Sequence, residues 1–375
     1  MSTPAQDMPS DPKVLMRSII QRIATGPELS KDITRDEARQ GMRLILDGAV
    51  DPVQAAIFFI GLRMKRETDE ENIGVLEAVR DVTEVATAPV DEVVVISDPY
   101  DGYNRTVPAS PFLPPLLAAF GVPAVSEGVE TMGPKYGVTH RQVLRAAGVP
   151  VDLTPAEAAA RLGDADIGWA YVDQSRFCPK LHQLTGLRTQ MVKRPVLTTV
   201  EVLTGPVRGR RKTHLVTGYV HKPYPRLYAL LARHMGFDSV LLVRGVEGGV
   251  VPSLRQAGKC VYYHDKGEAQ SLDTNPEELG IEQTVRAAPL PDDLPKAARP
   301  GDEIAIAVDM EALAAETARS GTRALQGEAG PVHDGLVYSG ALILHHLGRY
   351  DSLPAAADAV REVLASGAVL GRLKA

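Results

Sequence analysis

From residue 90 onward the chain alternates short apolar runs with helix-patterned stretches, and that alternation confines most of it to one class of fold. Runs at 92–96, 167–172, 214–220, 239–243 and 259–264 predict strands. Stretches at 112–120, 139–147, 155–162 and 225–235 predict helices between them; Thr139-x-x-Gln142 and Thr154-x-x-Glu157 form capping boxes at two of their starts. Strands separated by helices pair in parallel and are covered on both faces, so this part is an α/β domain with a mostly parallel central sheet. Residues 275–302 are Pro-rich and acidic and predict a surface connection. Helices at 311–325, 336–347 and 354–365 close the chain.

The first 85 residues have a different texture. Thr34-x-x-Glu37 and Thr68-x-x-Glu71 are capping boxes. Asp51-Pro52 places an N-cap before a proline in the first turn. Met42, Leu44 and Ile45, then Ala55, Ala56, Phe58, Phe59 and Leu62, recur at helical spacing. This part therefore predicts a small all-helical domain.

Composition limits function. With 375 residues there is room for two domains. No apolar run has membrane-spanning length and the first residues lack a signal-peptide pattern, so no membrane partner and a cytoplasmic location are expected. Cys178 and Cys260 form neither a disulfide framework nor a zinc spacing, and inert thiols account for them. The net charge of −6 gives no global attraction to nucleic acid, so any such affinity needs a local basic patch.

The turn after the first predicted strand is the clearest functional signal. In α/β proteins this position commonly carries glycines, because backbone N–H groups must approach a phosphate closely. Here it reads Ser97-Asp98-Pro99-Tyr100-Asp101-Gly102-Tyr103-Asn104-Arg105-Thr106. Pro99 has no N–H to give, and Tyr100 adds bulk.

The blocks Ile33-Thr-Arg-Asp-Glu-Ala38, Ile45-Leu-Asp-Gly48, Asp51-Pro-Val-Gln54 and Gly61-Leu-Arg-Met-Lys-Arg-Glu-Thr68 resemble the N-terminal helices of anthranilate phosphoribosyltransferases. Pyrimidine nucleoside phosphorylases share those helices. The resemblance continues through 227–243 and the final helices from Gly335. It implies a helical domain at 12–88, joined by about 180–205, a larger α/β domain at 89–375, and a homodimer; residues 1–11, polar and proline-containing, read as a loose tail. The family enzymes transfer a phosphoribosyl group from phosphoribosyl pyrophosphate (PRPP) to anthranilate with magnesium. Their Gly-Thr-Gly-Gly-Asp turn matches Ser97-Asp98-Pro99-Tyr100-Asp101 here. Their Lys-His-Gly-Asn-Arg stretch matches Ser126-Glu127-Gly128-Val129-Glu130. Their Asp-Glu magnesium pair falls within Arg244-Gly-Val-Glu247-Gly-Gly-Val250, which lacks it. A like-charge contact at ~4 Å costs on the order of 1–4 kcal/mol, and each lost amide donor ~1–3 kcal/mol. The resemblance thus marks Asp98, Tyr100, Asp101, Gly102, Asn104 and Gly128 as an altered phosphate turn. Asp101 and Glu247 are weak candidates for a metal, and no cofactor is expected unless transferase activity, with its magnesium, is retained.

The chain is similar to a paralogous branch that keeps the fold, lacks transferase activity and binds nucleic acid without strong sequence preference. The traits shared with it include Phe177-Cys178-Pro179 and Gly245-x-Glu247-Gly248. Between residues 176 and 222 the only acid is Glu201, while Arg188, Lys193, Arg194, Arg208, Arg210, Arg211 and Lys212 lie inside that window. A solvated loop accounts for 208–212 alone. Taken with Arg188, Lys193 and Arg194, the run suggests a cationic surface for single- or double-stranded nucleic acid. Tyr100, Tyr103 and Tyr136 are candidates for base stacking, and His140 and His182 for general bases. The rival expectation is a pentosyl transferase with a divergent donor, whose Arg188 would hold an aromatic carboxylate acceptor through its bidentate fork.

Overall fold

The computed structural model describes residues 11–26, 28–297 and 308–375. The chain forms two compact units: residues up to Thr83 with Cys178–Thr204, and Glu84–Phe177 with Gly205–Ala375. Most of the expected tail at 1–11 lies outside the described residues; Asp11 itself caps the first helix by accepting from the Lys13 N–H at 2.8 Å.

The first unit is helical: α1 (Pro12–Ile23), α2 (Arg35–Leu46), α3 (Pro52–Lys65) and α4 (Asp69–Arg80), with Thr185–Met191 from the returning segment. The boxes at Thr34 and Thr68 are both closed reciprocally, so each helix start satisfies its own leading N–H groups. Met16, Ile19, Ile23, Met42, Phe58 and Phe59 form the buried centre. Gly74 sets the spacing of α2 and α4, since a Cβ there would lie 2.3 Å from the Arg35 carbonyl oxygen.

The second unit is α/β. Among the described residues its main sheet has seven strands: β1 (Glu92–Ser97), β2 (Ala124–Gly128), β3 (Trp169–Asp173), β4 (Lys212–Gly218), β5 (Ser239–Val243), β6 (Gly258–Tyr263) and β7 (Gln270–Thr274). The spatial order is β3-β2-β1-β4-β5-β6-β7. The first five run parallel, and β6 and β7 are antiparallel additions. The near-continuous Val/Ile character of β1 fits a strand covered on both faces. β2 and β7 were not expected. β2 is Ala-Val-Ser-Glu-Gly, whose Ser126 and Glu127 break the apolar pattern although both are buried. β7 is a polar edge strand in which Leu272 is half-buried and Thr274 buried, too little apolar surface to pattern it. Within the expected 275–302 connection, residues 298–302 lie outside the described residues; the remainder holds a single short turn of helix, Glu277–Leu279. Among the described residues no helix is long and apolar enough to cross a membrane.

Register fixes which residues share an end of the sheet. Glu92 pairs with Lys212 at the amino end, and Ser97 with Thr217 at the carboxyl end. The two ends are ~17 Å apart along β1, at about 3.3 Å per residue.

Candidate functional site

The loops after β1, β2 and β5 meet at the carboxyl ends of the strands, where α/β folds place their sites. Two buried carboxylates organise them. Asp98, directly after β1, accepts from the Val250 N–H at 3.0 Å and the Tyr103 hydroxyl at 2.7 Å; it also takes the Ser110 hydroxyl and lies 2.9 Å from His140 Nε2. Burial alone would raise the carboxyl of Asp98; the charge and hydrogen bond of His140, with the Ser110 and Tyr103 hydroxyls, outweigh it and hold the group below the ordinary range. Burial, reinforced by the Asp98 charge, pushes the Tyr103 phenol far above its usual value.

Glu247 is the second carboxylate. It accepts the backbone N–H groups of Asn104 at 3.2 Å and Arg105 at 3.1 Å, and the Thr106 hydroxyl at 2.9 Å. Lys135 Nζ lies 3.2 Å from Glu247 and 3.8 Å from Asp101. Consecutive amides converging on one anion form the arrangement that binds phosphate elsewhere; here the anion is a side chain of the same chain. Glu247 reaches it from a left-handed backbone, φ 53°, a costly conformation for a residue with a Cβ. The glycines around it are dictated by crowding. A Cβ on Gly249 would lie 1.6 Å from the Tyr103 hydroxyl, and one on Gly102 would lie 2.4 Å from the Gly137 carbonyl oxygen.

Asp98, Asp101, Gly102 and Asn104 therefore come together in one closed turn. Gly128 ends the neighbouring strand, 3.3 Å from the Tyr171 hydroxyl by its would-be Cβ. Tyr100 and Tyr103 are buried, which corrects the expectation that they stack bases. His140 is likewise buried, with Nε2 2.9 Å from Asp98 and 3.1 Å from Ser110. Glu127 and Glu130 are not presented together to a ligand either: Glu127 is buried and accepts the Ser97 hydroxyl at 2.8 Å, and Glu130 is clamped by Arg141 and Arg145 at 2.8 and 2.6 Å. Sequence reasoning missed Lys135 and Ser110. Neither sits in a recognisable motif, and only the three-dimensional return of their loops brings them to the carboxylates.

Asp101 and Glu247 do not fit a magnesium ion. The cation between them is Lys135, and the positions that follow Gly249 are Val250 and Val251. Among the described residues no set of three His, Cys, Asp or Glu side chains converges as a metal site. Cys178 and Cys260 are buried and free, and burial raises both thiols, Cys260 to about 12.

The basic run divides between the units. In the first, Arg188 is 2% exposed and makes a bidentate pair with Glu201 at 2.5 and 2.8 Å. The one acid of the window thus pairs with it, and its guanidinium is not presented at the surface. Lys193 and Arg194 are exposed. In the second unit Arg208 lies 3.9 Å over the Phe237 ring, and burial lowers its guanidinium to about 10. Arg210, Arg211 and Lys212 are exposed, with Arg211 3.7 Å from Asp91 and Lys212 3.0 Å from Asp265. Arg210 and Arg211 precede β4 and Lys212 opens it, so they occupy the amino end of the sheet and not the end that carries the closed turn.

Residues 17–83 match the glycosyl transferase family, helical bundle domain. Over its whole length the chain is 26% identical to an anthranilate phosphoribosyltransferase of Rhodopseudomonas palustris, covering 96% of each. Along its length the chain is thus similar to anthranilate phosphoribosyltransferases. An uncharacterized protein of Aquifex aeolicus is 28% identical over 67% of this chain and 74% of its own. The fold is that of anthranilate phosphoribosyltransferase from Thermus thermophilus (TM-score 0.71, 22% identity, covering 96% and 97% of the two chains). It is equally that of the Saccharomyces cerevisiae enzyme in complex with PRPP and Mg (TM-score 0.72, 14% identity, 96% of each).

Proposed function

We propose that this protein keeps the family fold without the family's phosphoribosyl transfer, and binds nucleic acid through exposed cationic side chains. The observation that carries the first half is the position of Glu247. Its carboxylate already holds the turn amides of Asn104 and Arg105 and the ammonium of Lys135. A diphosphate entering there would have to displace a charged group with four contacts, which is unfavourable by more than a single charge-assisted hydrogen bond of about 1.5–3 kcal/mol. The transferase alternative loses its acceptor clamp, because Arg188 is committed to Glu201.

The second half rests on Lys193 and Arg194 in one unit and Arg210, Arg211 and Lys212 in the other, in a chain that is otherwise net acidic. Such contacts neutralise phosphates and release counterions, so affinity falls steeply with salt. Fluorescence anisotropy with labelled single-stranded DNA at low salt tests it. Binding that weakens with added salt is expected, and no binding at 20–50 mM salt, on the order used to reveal phosphate contacts, rejects the reading. We also propose a homodimer through the apolar face of α1 and α3. Val53 and Met64 there are 65% and 75% exposed beside a groove of about 640 Å³ that Ile57, Ile60 and Met191 also line, and patches of this kind mark protein interfaces. Sedimentation of wild type against Val53→Lys/Met64→Lys decides it.

A further inference from the structure

A second polar cavity, separate from the closed turn, opens in the α/β unit where β5 ends and β6 begins. It encloses about 170 Å³. Arg244 follows β5, Lys259 lies in β6, and Arg286 comes from the connection beyond β7; the backbone of that connection is tied to the cavity loop by the Leu254 N–H to the Arg286 carbonyl at 2.9 Å. Ser253, Gln256 and the buried Thr274 add hydroxyl and amide groups. No carboxylate lines it. Lys259 has a solvent-exposed partner, Asp273, at 3.3 Å. Among the described residues Arg244 and Arg286 have no ion pair.

Arg244 and Arg286, without ion pairs on a small cavity whose lining holds no carboxylate, leave a positive field, and guanidinium forks match the oxygens of a phosphate better than ammonium groups do. We propose that this cavity binds a phosphate group. The adjoining loop suggests where that phosphate comes from: Val220 lines the cavity, exposed His221 and Lys222 follow it, and the His221 and Tyr224 rings lie 6.4 Å apart. A phosphate in the cavity would have rings beside it to pack against an attached nucleoside. The site thus deepens the nucleic-acid reading and rests on it only for the source of the phosphate.

The test uses two probes on the full-length protein: inorganic phosphate by calorimetry at low ionic strength, and a labelled oligothymidylate by anisotropy. Arg244→Ala/Arg286→Ala is compared with Arg319→Ala/Arg323→Ala, on the helix Met310–Ala324, which contributes nothing to the cavity lining. All four residues are exposed, and thermal melting verifies folding. Phosphate affinity is expected to fall at least tenfold in the first pair and to hold within twofold in the second. If oligothymidylate affinity falls with it, the phosphate belongs to a nucleic-acid backbone. If phosphate binding is lost while the oligonucleotide is unaffected, or never binds wild type, the site takes free phosphate and its proposal stands; the second of those results removes the nucleic-acid function. Wild type that binds no phosphate, or a first pair that binds it undiminished, overturns the site.

Discussion

Replacing Glu247 by Ala should cost about 3–5 kcal/mol of unfolding free energy. The side chain is 8% exposed and holds two backbone N–H groups, one hydroxyl and Lys135. Hydrogen bonds to a charged acceptor contribute about 1.5–3 kcal/mol each, and the donors left behind lose their partner without full access to water. Adding these terms overshoots, because a relaxed turn admits water to Arg105, which is exposed. Glu247→Gln keeps the shape and one acceptor oxygen, so about half the loss is expected. Glu247→Gly should be less damaging than Glu247→Ala by about 1 kcal/mol, because φ 53° suits glycine. Urea titration followed by circular dichroism measures all three. A Glu247→Ala protein within about 0.5 kcal/mol of wild type would refute the idea that this carboxylate holds the turn shut.

Other outcomes follow from the same geometry. His214 and His346 both hydrogen-bond Ser239, at 2.7 and 2.9 Å, and burial lowers them to about 4 and about 3, with His264 and His345 adding to the effect on His346. The unfolded chain therefore binds more protons below pH ~6.5, and stability falls with pH, by about 2 kcal/mol for each histidine at pH 5; His214→Asn/His346→Asn should flatten the stability profile between pH 7 and 5, and an unaltered slope would contradict this. Gly249→Ala should destabilise by several kcal/mol in wild type and much less in a Tyr103→Ala background, since the clash is with the Tyr103 ring; equal cost in both denaturation series would count against it. Arg188→Met should cost about 3–5 kcal/mol by stranding the buried Glu201, and Arg188→Met/Glu201→Leu should recover much of it; a double variant no better than the single one would show that the pair is not the cause.

The elements were legible where one local signal decided them. Capping boxes located α2 and α4 because both halves of each interaction lie within four residues. β1 and β5 were legible as apolar runs. β2 was hidden because its buried Glu127 is satisfied by Ser97, a residue thirty positions earlier. The site was half legible. The sequence showed that the turn after β1 carries Pro99 and Tyr100 where glycines are usual, but not that Glu247, 143 residues from Asn104, supplies the anion that the turn amides hold. The basic run misled for the same reason: Arg188 and Glu201 look like a cation and an isolated acid in sequence, and only folding makes them one neutral pair.

The most direct measurement is calorimetric titration of the wild-type protein with PRPP and magnesium. With Glu247 and Lys135 occupying the turn, no saturable heat is expected at millimolar ligand, on the scale of about 4 kcal/mol of binding free energy. Stoichiometric binding that requires magnesium would show that the turn opens to a diphosphate after all.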